Sequence, residues 1–314
     1  MPVKELQLIE RIRRAAAQAR PRTGSGIGDD SAVLRIPRGE EVLVTTDFSL
    51  EGIHFRRAWH APDSVGHRCL ARGLSDIAAM GGTPHWVFLS LALPADLSQR
   101  WVDAFIGGFL KLGRRYSVQL AGGDTAQSPG GILADVIVVG SVPLGKAVFR
   151  SGAGAGDVIY VTGTLGASVA TLQELGNGRK LRSSSHRRHF YPDPRLALGR
   201  HLREKQIATA MIDTSDGLST DLRHLCKESG VGAVVEAAAL PALPGDNRLQ
   251  FALHGGEDYE LLFTAAPNRR VPGKIAGVPI TRIGEITRRR QIKLQMPDGE
   301  SRPMLPGGWE HFAG

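Results

Sequence analysis

The chain has 314 residues, which is enough for two domains of ordinary size, and its 42% hydrophobic and 22% charged content is typical of a soluble globular protein. No apolar run approaches the roughly 20 residues of a membrane span, and the charged N-terminus lacks the apolar segment of a signal peptide. The net charge of +8 comes from dispersed cations without interleaved aromatic residues, which favours a solvated surface over a nucleic-acid site. The same charge could help to attract anionic small substrates.

The first half of the sequence predicts alternating helices and strands. In chain order these are a helix over 3–17, strands over 31–36 and 41–47, a helix over 62–81, a strand over 86–93, a helix over 98–114, and strands over 117–121 and 132–141. The glycine-rich segment 150–157 follows, and we expect a domain boundary just before it.

The second half alternates in the same manner. Its predicted elements are a strand over 158–162, a helix over 166–175, an exposed polar loop over 176–190, a helix over 194–204, a strand over 208–213, a helix over 216–228, and strands over 233–237, 259–264, 279–285 and 291–295. Helices and strands intermixed in both halves predict two α/β or α+β domains.

The two cysteines, Cys69 and Cys226, are far apart, and each falls inside a helical apolar pattern. This placement predicts buried thiols rather than a disulfide or a zinc site. We therefore expect the protein in a reducing cytoplasm, with neither a membrane nor a nucleic-acid partner.

Aspartates beside glycine, serine or threonine recur where apolar runs end or inside apolar helical patterns. They occur in Gly26–Asp30, Thr45–Asp47, Leu74–Asp76, Gly122–Asp124 and Asp213–Gly217. Acids held near an apolar framework without evident cationic partners point to hard divalent cations, which take carboxylate and hydroxyl oxygens as ligands. The sequence has no Walker-type loop, so a nucleotide would be held through metal rather than a P-loop lysine, and no Gly-Xaa-Ser-Xaa-Gly elbow indicates a serine hydrolase.

Asp47 ends an apolar predicted strand, where a carboxylate at the edge of an α/β sheet faces the usual ligand crevice. Thr45 and Thr46 add hydroxyl or carbonyl ligands beside it. A turn or helix-cap aspartate is the structural alternative for this position.

Asp76 interrupts an otherwise apolar helical pattern over 70–80. An ionised carboxylate there is costly to bury unless it is paired or bound to metal. Arg72 and Arg68, four and eight residues earlier, could pair with it along the helix.

The remaining acidic segments are individually weaker. Gly26–Asp30 could bind a cation or form a plain turn, whereas Gly122–Thr125 combines close backbone approach with a carboxylate at the end of a strand. Asp213 and Asp216 could ligate metal while the amide of Ser215 lies at a helix N-terminus suited to phosphate, or either acid could cap that helix.

Three further positions have both functional and structural interpretations. The acids of 257–260, beside a Gly-Gly turn, could contact a ligand or be solvated. His54 follows the Asp47 strand, and a lone histidine is more often structural. Trp309 could stack on a ring or anchor the C-terminal segment.

Taken together, in this order and at these intervals, these segments resemble the thiamine-monophosphate kinases. The resemblance runs through Gly26–Asp30, Thr45–Phe55, Leu74–Met80, Gly122–Thr125, Val161–Gly166, Asp213–Leu218, Gly255–Leu262 and Gly308–Phe312. Single segments are shared with aminoimidazole-ribonucleotide synthetase and selenophosphate synthetase. The N-terminal glycine-rich region lacks the reactive cysteine of the latter, and the C-terminus lacks the cysteine of a hydrogenase-maturation relative.

The resemblance implies ATP-dependent phosphorylation of thiamine monophosphate to thiamine diphosphate, the last step in the synthesis of that cofactor, with several Mg²⁺ ions in a homodimer. The implied fold is α/β (α+β) with two domains, like that of aminoimidazole-ribonucleotide synthetase. Residues 1–149 would bind ATP and Mg²⁺ and form the dimer interface, and residues 150–314 would form a second α/β domain.

The resemblance also implies roles for individual residues. The implied metal ligands are Asp30, Thr45, Thr46, Asp47, Asp76, Asp124, Asp213 and Asp216, of which Asp47, Asp76 and Asp216 would be catalytic. ATP would be contacted by Gly123, Asp124, Arg150 and Ser215, and thiamine monophosphate by His54, Glu257 and Trp309. The acceptor is an already ionised phosphate oxygen, so catalysis reduces to placing two anions in line and neutralising them.

Two other classes of function stay open. A different ATP-using member of the same superfamily would act on a formyl-amidine or another acyl substrate, and activity with thiamine monophosphate separates it. A non-catalytic nucleotide or thiamine-phosphate binding protein is the other alternative, but loss of catalysis would be expected to erode the acids first.

Overall fold

The computed structural model describes residues 5–17, 27 and 30–312. By contacts the chain divides into two compact units, which we call unit 1 (Met1–Ile77, Gly82–Gly145 and Phe190–Pro192) and unit 2 (Ala78–Gly81, Lys146–His189 and Asp193–Gly314). The main passage from one to the other follows Gly145, and the boundary predicted from the sequence lies shortly beyond it. Among the described residues, no helix combines the length and the apolar character needed to cross a membrane.

Residues 5–145 form three helices and a five-stranded sheet. The helices are α1 (Glu5–Ala16), α2 (Pro62–Ala79) and α3 (Gln99–Arg115), and the strands are β1 (Glu40–Leu50), β2 (Thr83–Pro94), β3 (Gln119–Gly122), β4 (Thr125–Ser128) and β5 (Leu133–Pro143). The strand order is β1–β5–β2–β3, and β4 pairs with β2 further along the strand than β3 does. β5 is antiparallel to both neighbours, whereas β3 and β4 are parallel to β2.

One face of this sheet is covered by α2, on which α3 packs in turn. Gly73 of α2 faces the side chain of Val138 on β5, and Gly66 faces the backbone carbonyl of Phe105 on α3, so larger side chains would not fit at either glycine. The opposite face carries a smaller apolar cluster. Its buried members are Trp86, Ala121 and Val139, with half-buried Ala32, Leu34, Ile36, Phe88 and Ile137 against them.

The predictions for this half were right for most elements and wrong at two places. Residues 31–36 are not a strand and contain one bridge residue, Val33, although the alternating side chains of this segment do pack on the sheet. The apolar alternation was therefore real, but the backbone of the segment does not form a ladder. Strand β4 was not predicted, because its sequence Thr125–Ser128 is short and largely polar.

Residues 146–312 form the second sheet and its helices. The helices are α4 (Ala167–Gly176), α5 (Arg187–Phe190), α6 (Leu196–Glu204), α7 (Leu218–Ser229) and α8 (Arg248–His254). The strands are β6 (Val158–Thr162), β7 (Ala210–Asp213), β8 (Gly232–Glu236), β9 (Leu261–Ala265), β10 (Lys274–Ile275), β11 (Val278–Thr287), β12 (Ile292–Gln295) and β13 (Ser301–Pro303). The sheet order is β13–β12–β8–β11–β6–β9–β7, with β10 on β11, and only the β8–β12 pair among these described strands is parallel.

The core of this half lies between α7 and the sheet. Leu222 and Leu225 of α7 pack in one buried cluster with Val235 of β8 and Ile283 of β11. Burial of such side chains contributes on the order of 1.5–3 kcal/mol each. This packing fixes the helix that begins directly after the Asp213–Gly217 segment.

The predictions for the second half missed two helices and the short strands β10 and β13. The segment 176–190 was expected to be an exposed loop throughout, but it ends in α5, where His189 and Phe190 are buried. Helix α8 was also not predicted, because it is short and follows a glycine- and proline-containing loop. Both cysteines are free and buried, as expected, and burial raises the pKa of each thiol to about 12.

Candidate active site

Asp47 on β1 and Asp76 on α2 are two acids of unit 1 whose charges interact. The hydroxyl of Thr45 donates to Oδ2 of Asp76, and the guanidinium of Arg72 lies 3.7 Å from Oδ1 of Asp47. Burial, followed by the charge of Asp76, raises the pKa of Asp47 to about 7, and Arg72 offsets this only in part. Added positive charge next to Asp47 would therefore favour its ionised form.

Alternation along β1 decides which of the predicted ligands share this site. Thr45 and Asp47 lie two residues apart and face the same side of the sheet, whereas Thr46 points to the opposite side. There its hydroxyl donates to Oδ1 of Asp135 at 2.8 Å. Asp135 was not identified from the sequence, because its place beside β1 depends on the pairing of β1 with β5.

Gly123 and Asp124 separate β3 from β4 along one edge of β2. Gly123 has φ 145°, and a Cβ there would lie 1.9 Å from the carbonyl oxygen of Leu89, so only glycine fits. The backbone of Asp124 accepts from Leu91 N–H at 2.8 Å, while its exposed carboxylate accepts from the N–H of Thr125 at 2.8 Å. The break between β3 and β4 thus holds the Asp124 carboxylate in a fixed, accessible position.

Asp30 and Asp124 both line a cavity of about 440 Å³. Gly123 lines the cavity as well, and its apolar wall includes Ile9, Ile12, Ile27, Phe88 and Leu120. Two segments that are far apart in the sequence therefore contribute to one cavity. Gly26, Gly28 and Asp29 of the first segment lie outside the described residues.

His54 occupies the turn that follows β1. Its Nδ1 accepts the backbone N–H of Leu50 at 2.9 Å, and its side chain is half-buried. A ring nitrogen that accepts a hydrogen bond carries no proton, so this contact favours the neutral imidazole.

In unit 2, three segments predicted from the sequence meet at the start of α7. The N–H of Glu257 donates to the carbonyl of Ser215 at 2.8 Å, and the N–H of Trp309 donates to the carbonyl of Asp216 at 3.0 Å. The N–H of Gly308 donates to Oγ1 of Thr220 at 3.3 Å, and a Cβ on this glycine would clash with the backbone of Asp216. The structure therefore brings Ser215, Asp216, Glu257 and Trp309 together.

A third acid, Asp221, lies near Asp213 and Asp216. It is buried on α7 and accepts the N–H of Gly217 at 3.0 Å. Burial, and then the charges of Asp213 and Asp216, raise the pKa of Asp221 well above its usual range. Sequence reasoning missed this residue, although an acid in the helical apolar pattern of α7 carries the same signal that identified Asp76.

Two residues near this cluster have unusual backbone angles, and one aromatic ring there is exposed. Glu257 and Tyr259 have φ values of 63° and 51°, in the left-handed region that side chains rarely adopt. Strained backbone of this kind is concentrated at functional sites. The Trp309 side chain is 52% exposed, so its ring is accessible for stacking.

The acids that follow Glu257 have structural partners. Asp258 accepts the N–H groups of Gly166 and Ser168, at 2.6 and 3.2 Å, at the start of α4. Glu260 is buried, forms a two-pronged ion pair with Arg195, and accepts from the Thr162 hydroxyl at 2.6 Å. These two acids therefore support the fold.

Arg150 lies at the start of unit 2. Its carbonyl accepts the hydroxyl of Ser229 at 2.8 Å, and its side chain is exposed. The backbone of Arg150 is held by this hydrogen bond, and its exposed guanidinium is accessible to a ligand.

The carboxylate and hydroxyl oxygens in both units suit Mg²⁺ better than a metal ion that takes all its ligands from the protein. Within the described part of the chain, no three His, Cys, Asp or Glu side chains converge closely enough to hold a metal ion by themselves. Mg²⁺ is usually bound by one or two carboxylates, with water and substrate phosphates completing its coordination. The Asp47–Asp76 pair with the Thr45 hydroxyl fits that pattern.

Comparisons with known proteins agree on one family. Residues 28–142 match the family described as AIR synthase related protein, N-terminal domain, and residues 154–297 match its C-terminal domain. Thiamine-monophosphate kinase of Escherichia coli (strain K12) is 38% identical over an alignment that covers 100% of this chain and 99% of that protein.

Solved structures give the same picture. The crystal structure of thiamine-monophosphate kinase from Stenotrophomonas maltophilia K279a has a TM-score of 0.83 and 37% identity, and covers 96% of this chain and 99% of its own. AaThiL complexed with AMPPCP and TMP has a TM-score of 0.79 and 33% identity, and covers 98% and 97%.

Proposed function

The chain belongs to the thiamine-monophosphate kinase family, whose reaction is the ATP-dependent phosphorylation of thiamine monophosphate to thiamine diphosphate, and we propose that its acids carry this reaction by holding Mg²⁺. The observation that supports the proposal most is the Asp47–Asp76 pair. Burial, and then the charge of Asp76, raises the pKa of Asp47 to about 7, with Arg72 as a partial counter-charge. A divalent cation would favour the ionised carboxylate of Asp47.

The proposed site residues are those that the sequence indicates. The proposed Mg²⁺ ligands are Asp30, Thr45, Thr46, Asp47, Asp76, Asp124, Asp213 and Asp216. Gly123, Asp124, Arg150 and Ser215 would contact ATP, and His54, Glu257 and Trp309 would contact thiamine monophosphate. Support for the nucleotide comes from AaThiL, which is 33% identical and was solved with AMPPCP and TMP.

The residues of this chain would act by positioning and neutralising charge. The attacking phosphate oxygen is already ionised, so no side chain has to remove a proton. The exposed guanidinium of Arg150 would offset charge on the polyphosphate, and the Trp309 ring would stack on a substrate ring. Bound Mg²⁺ would supply the charge neutralisation that lets two phosphate groups approach in line.

We also propose a homodimer that forms through the open face of β1 and acts in the cytoplasm. β1 is the outermost strand of its sheet, and Val42, Val44 and Phe48 on its open face are 51%, 63% and 54% exposed. Apolar side chains repeated along an outer strand favour a subunit interface. Val44→Lys should yield a monomer by light scattering, whereas Leu6→Lys, at an exposed apolar residue of α1, should not.

The reaction is tested by incubating the protein with ATP, Mg²⁺ and thiamine monophosphate and separating the products by chromatography. Thiamine diphosphate and ADP in equal amounts are the expected result. ADP without thiamine diphosphate would keep a nucleotide site but assign another acceptor. Neither product, from folded protein with Mg²⁺ present, would contradict the proposal.

A further inference from the structure

A second cavity, of about 520 Å³, lies in unit 2 between the C-terminal half of α7 and strands β12 and β13. Four cations line it: Arg223 and Lys227 on α7, Arg290 in the turn before β12, and Lys293 on β12. None of them belongs to the segments that meet at the start of α7. The cavity therefore lies outside the group of proposed site residues at the start of α7.

The charge in this cavity is not balanced by the protein. Among the described residues that line it, none is Asp or Glu, and none of its four cations forms an ion pair with a described carboxylate. Arg223 and Lys227 are four residues apart on one helix, an arrangement in which like charges repel. An anionic ligand would relieve this repulsion.

Two of the four cations are positioned in part by the fold. Nε of Arg290 donates to the carbonyl of Gly230, the C-cap residue of α7, at 3.2 Å. Lys293 is half-buried on the paired strand β12, whereas the side chains of Arg223 and Lys227 are exposed on α7. Ordering these exposed side chains is part of the entropy cost of binding.

The floor of the cavity is apolar. Cys226 and Met304 are 3% and 7% exposed, and half-buried Val231 and Ile292 lie beside them. A cationic rim over an apolar floor suits a ligand with an anionic group at one end and a ring at the other. Guanidinium groups bind phosphate oxygens in pairs, and a cavity of this size is in the range of small-molecule sites.

We propose that this cavity binds a small phosphorylated organic anion that carries an apolar or aromatic ring. The ring would lie on Cys226 and Met304, and the phosphate oxygens would accept hydrogen bonds from Arg223, Arg290 and Lys293. This second site does not depend on the reaction proposed above, and it is present whether or not the protein is a kinase.

Calorimetric titration of the full chain with ADP in EDTA tests the proposal. Without Mg²⁺ the acid-lined centre lacks its counter-charge, so the cationic cavity should provide the binding. ADP should bind more tightly than pyrophosphate, which lacks the ring, and adenosine, which lacks the phosphates. Arg223→Gln with Lys293→Gln should weaken ADP binding by about tenfold or more, since hydrogen bonds to charged groups are lost.

The matched control is Arg270→Gln with Lys274→Gln, which removes the same charge from exposed positions of unit 2 that do not line the cavity. It should bind ADP like the original chain. Hydrogen exchange supplies a readout that needs no variant, because ADP should protect the amides of residues 223–231. Equal ADP affinity in both double variants, or protection elsewhere only, would overturn the proposal.

Discussion

Two acidic regions look alike in the sequence and differ in the structure. Asp47 and Asp76 lie beside one another with a partial counter-charge from Arg72, and the charge of Asp76 is the second cause of the raised pKa of Asp47. Asp258 and Glu260 follow a Gly-Gly turn, but backbone amides at the start of α4 bind Asp258, and the guanidinium of Arg195 binds Glu260. In the first region Arg72 offsets the raised pKa of Asp47 only in part, whereas the acids of the second region bind donors of the fold.

The difference shows how an acidic motif can be assigned a role. Burial raises the pKa of Asp47 and Asp258 alike to about 7, so a shifted pKa does not by itself separate function from structure. The partners do. Asp258 also lies near the charge of Glu260, but it accepts two backbone N–H groups, which indicates a role in the fold. Asp47 lies near the charge of Asp76 and 3.7 Å from Arg72, which makes it the better candidate for a metal ligand.

The largest expected effect is on stability, through the buried Glu260–Arg195 ion pair. Glu260→Gln should lower the free energy of unfolding by about 3–5 kcal/mol, because it removes the buried carboxylate that binds the largely buried Arg195 through two hydrogen bonds, while Asp193 stays 3.7 Å away as a weaker counter-charge. Urea unfolding measures this loss. The matched control is Glu174→Gln, in an exposed pair with Arg179, where about 0–1 kcal/mol is expected. Equal costs at the two sites would contradict the structural role of Glu260.

The next largest effect is on catalytic activity, through Asp47. Asp47→Asn should reduce turnover by about 10²–10³-fold, the loss typical of one removed electrostatic contact in a transition state. It should not lower stability above pH 7, because the ionised Asp47 is disfavoured by burial. Steady-state kinetics and thermal unfolding test both expectations, with Asp96→Asn, at an exposed acid, as the control. Near-normal turnover would mean that Asp47 holds no metal.

Asp221 extends the comparison to unit 2. It binds the N–H of Gly217 beneath Asp213 and Asp216, so it should orient that segment rather than touch substrate. Asp221→Asn should raise the Mg²⁺ concentration needed for half-maximal activity by about 10–100-fold, with kcat restored at high Mg²⁺. Glu228→Gln, exposed on the same helix, should leave the requirement unchanged. A lower kcat at saturating Mg²⁺, with the requirement unchanged, would contradict this role.

The last effect, which is small per pH unit, is on the pH dependence of stability. The pKa of Asp258 is about 7 in the folded chain against an ordinary 3.8, so between these values the folded state holds a proton that the unfolded state has lost. Stability should therefore fall as the pH rises from about 4 to about 7, by at most about 1.4 kcal/mol per pH unit, and stay level above that.

Asp258→Asn should remove this contribution, while Asp246→Asn, at an exposed acid, should not. Urea unfolding at several pH values measures the slope. An unchanged slope in Asp258→Asn would show that the carboxyl titrates normally in the folded chain.

The sequence predicted those parts of the fold in which local pattern and tertiary structure agree. The strand over 158–162 and the helix from Pro62 were predicted well, because their apolar periodicity is strong and their ends are marked. Strand β4 and the facing directions of Thr45 and Thr46 depend on strand pairing, which the sequence does not state.

The same limit applies to the site. The acids were identified because they interrupt apolar patterns, but the sequence could not separate Asp258 and Glu260 from acids that need a ligand. Their partners, at the start of α4 and at Arg195, are distant in the chain. Asp221 could have been found from helical periodicity alone.

The central claim is that Mg²⁺ binds at the Asp47–Asp76 region and adds positive charge there. Binding of AMPPCP to the original chain and to Asp47→Asn, each with and without Mg²⁺, tests it most directly. We predict that Mg²⁺ strengthens binding to the original chain and has a much smaller effect on Asp47→Asn. An equal Mg²⁺ effect on both proteins would contradict the account.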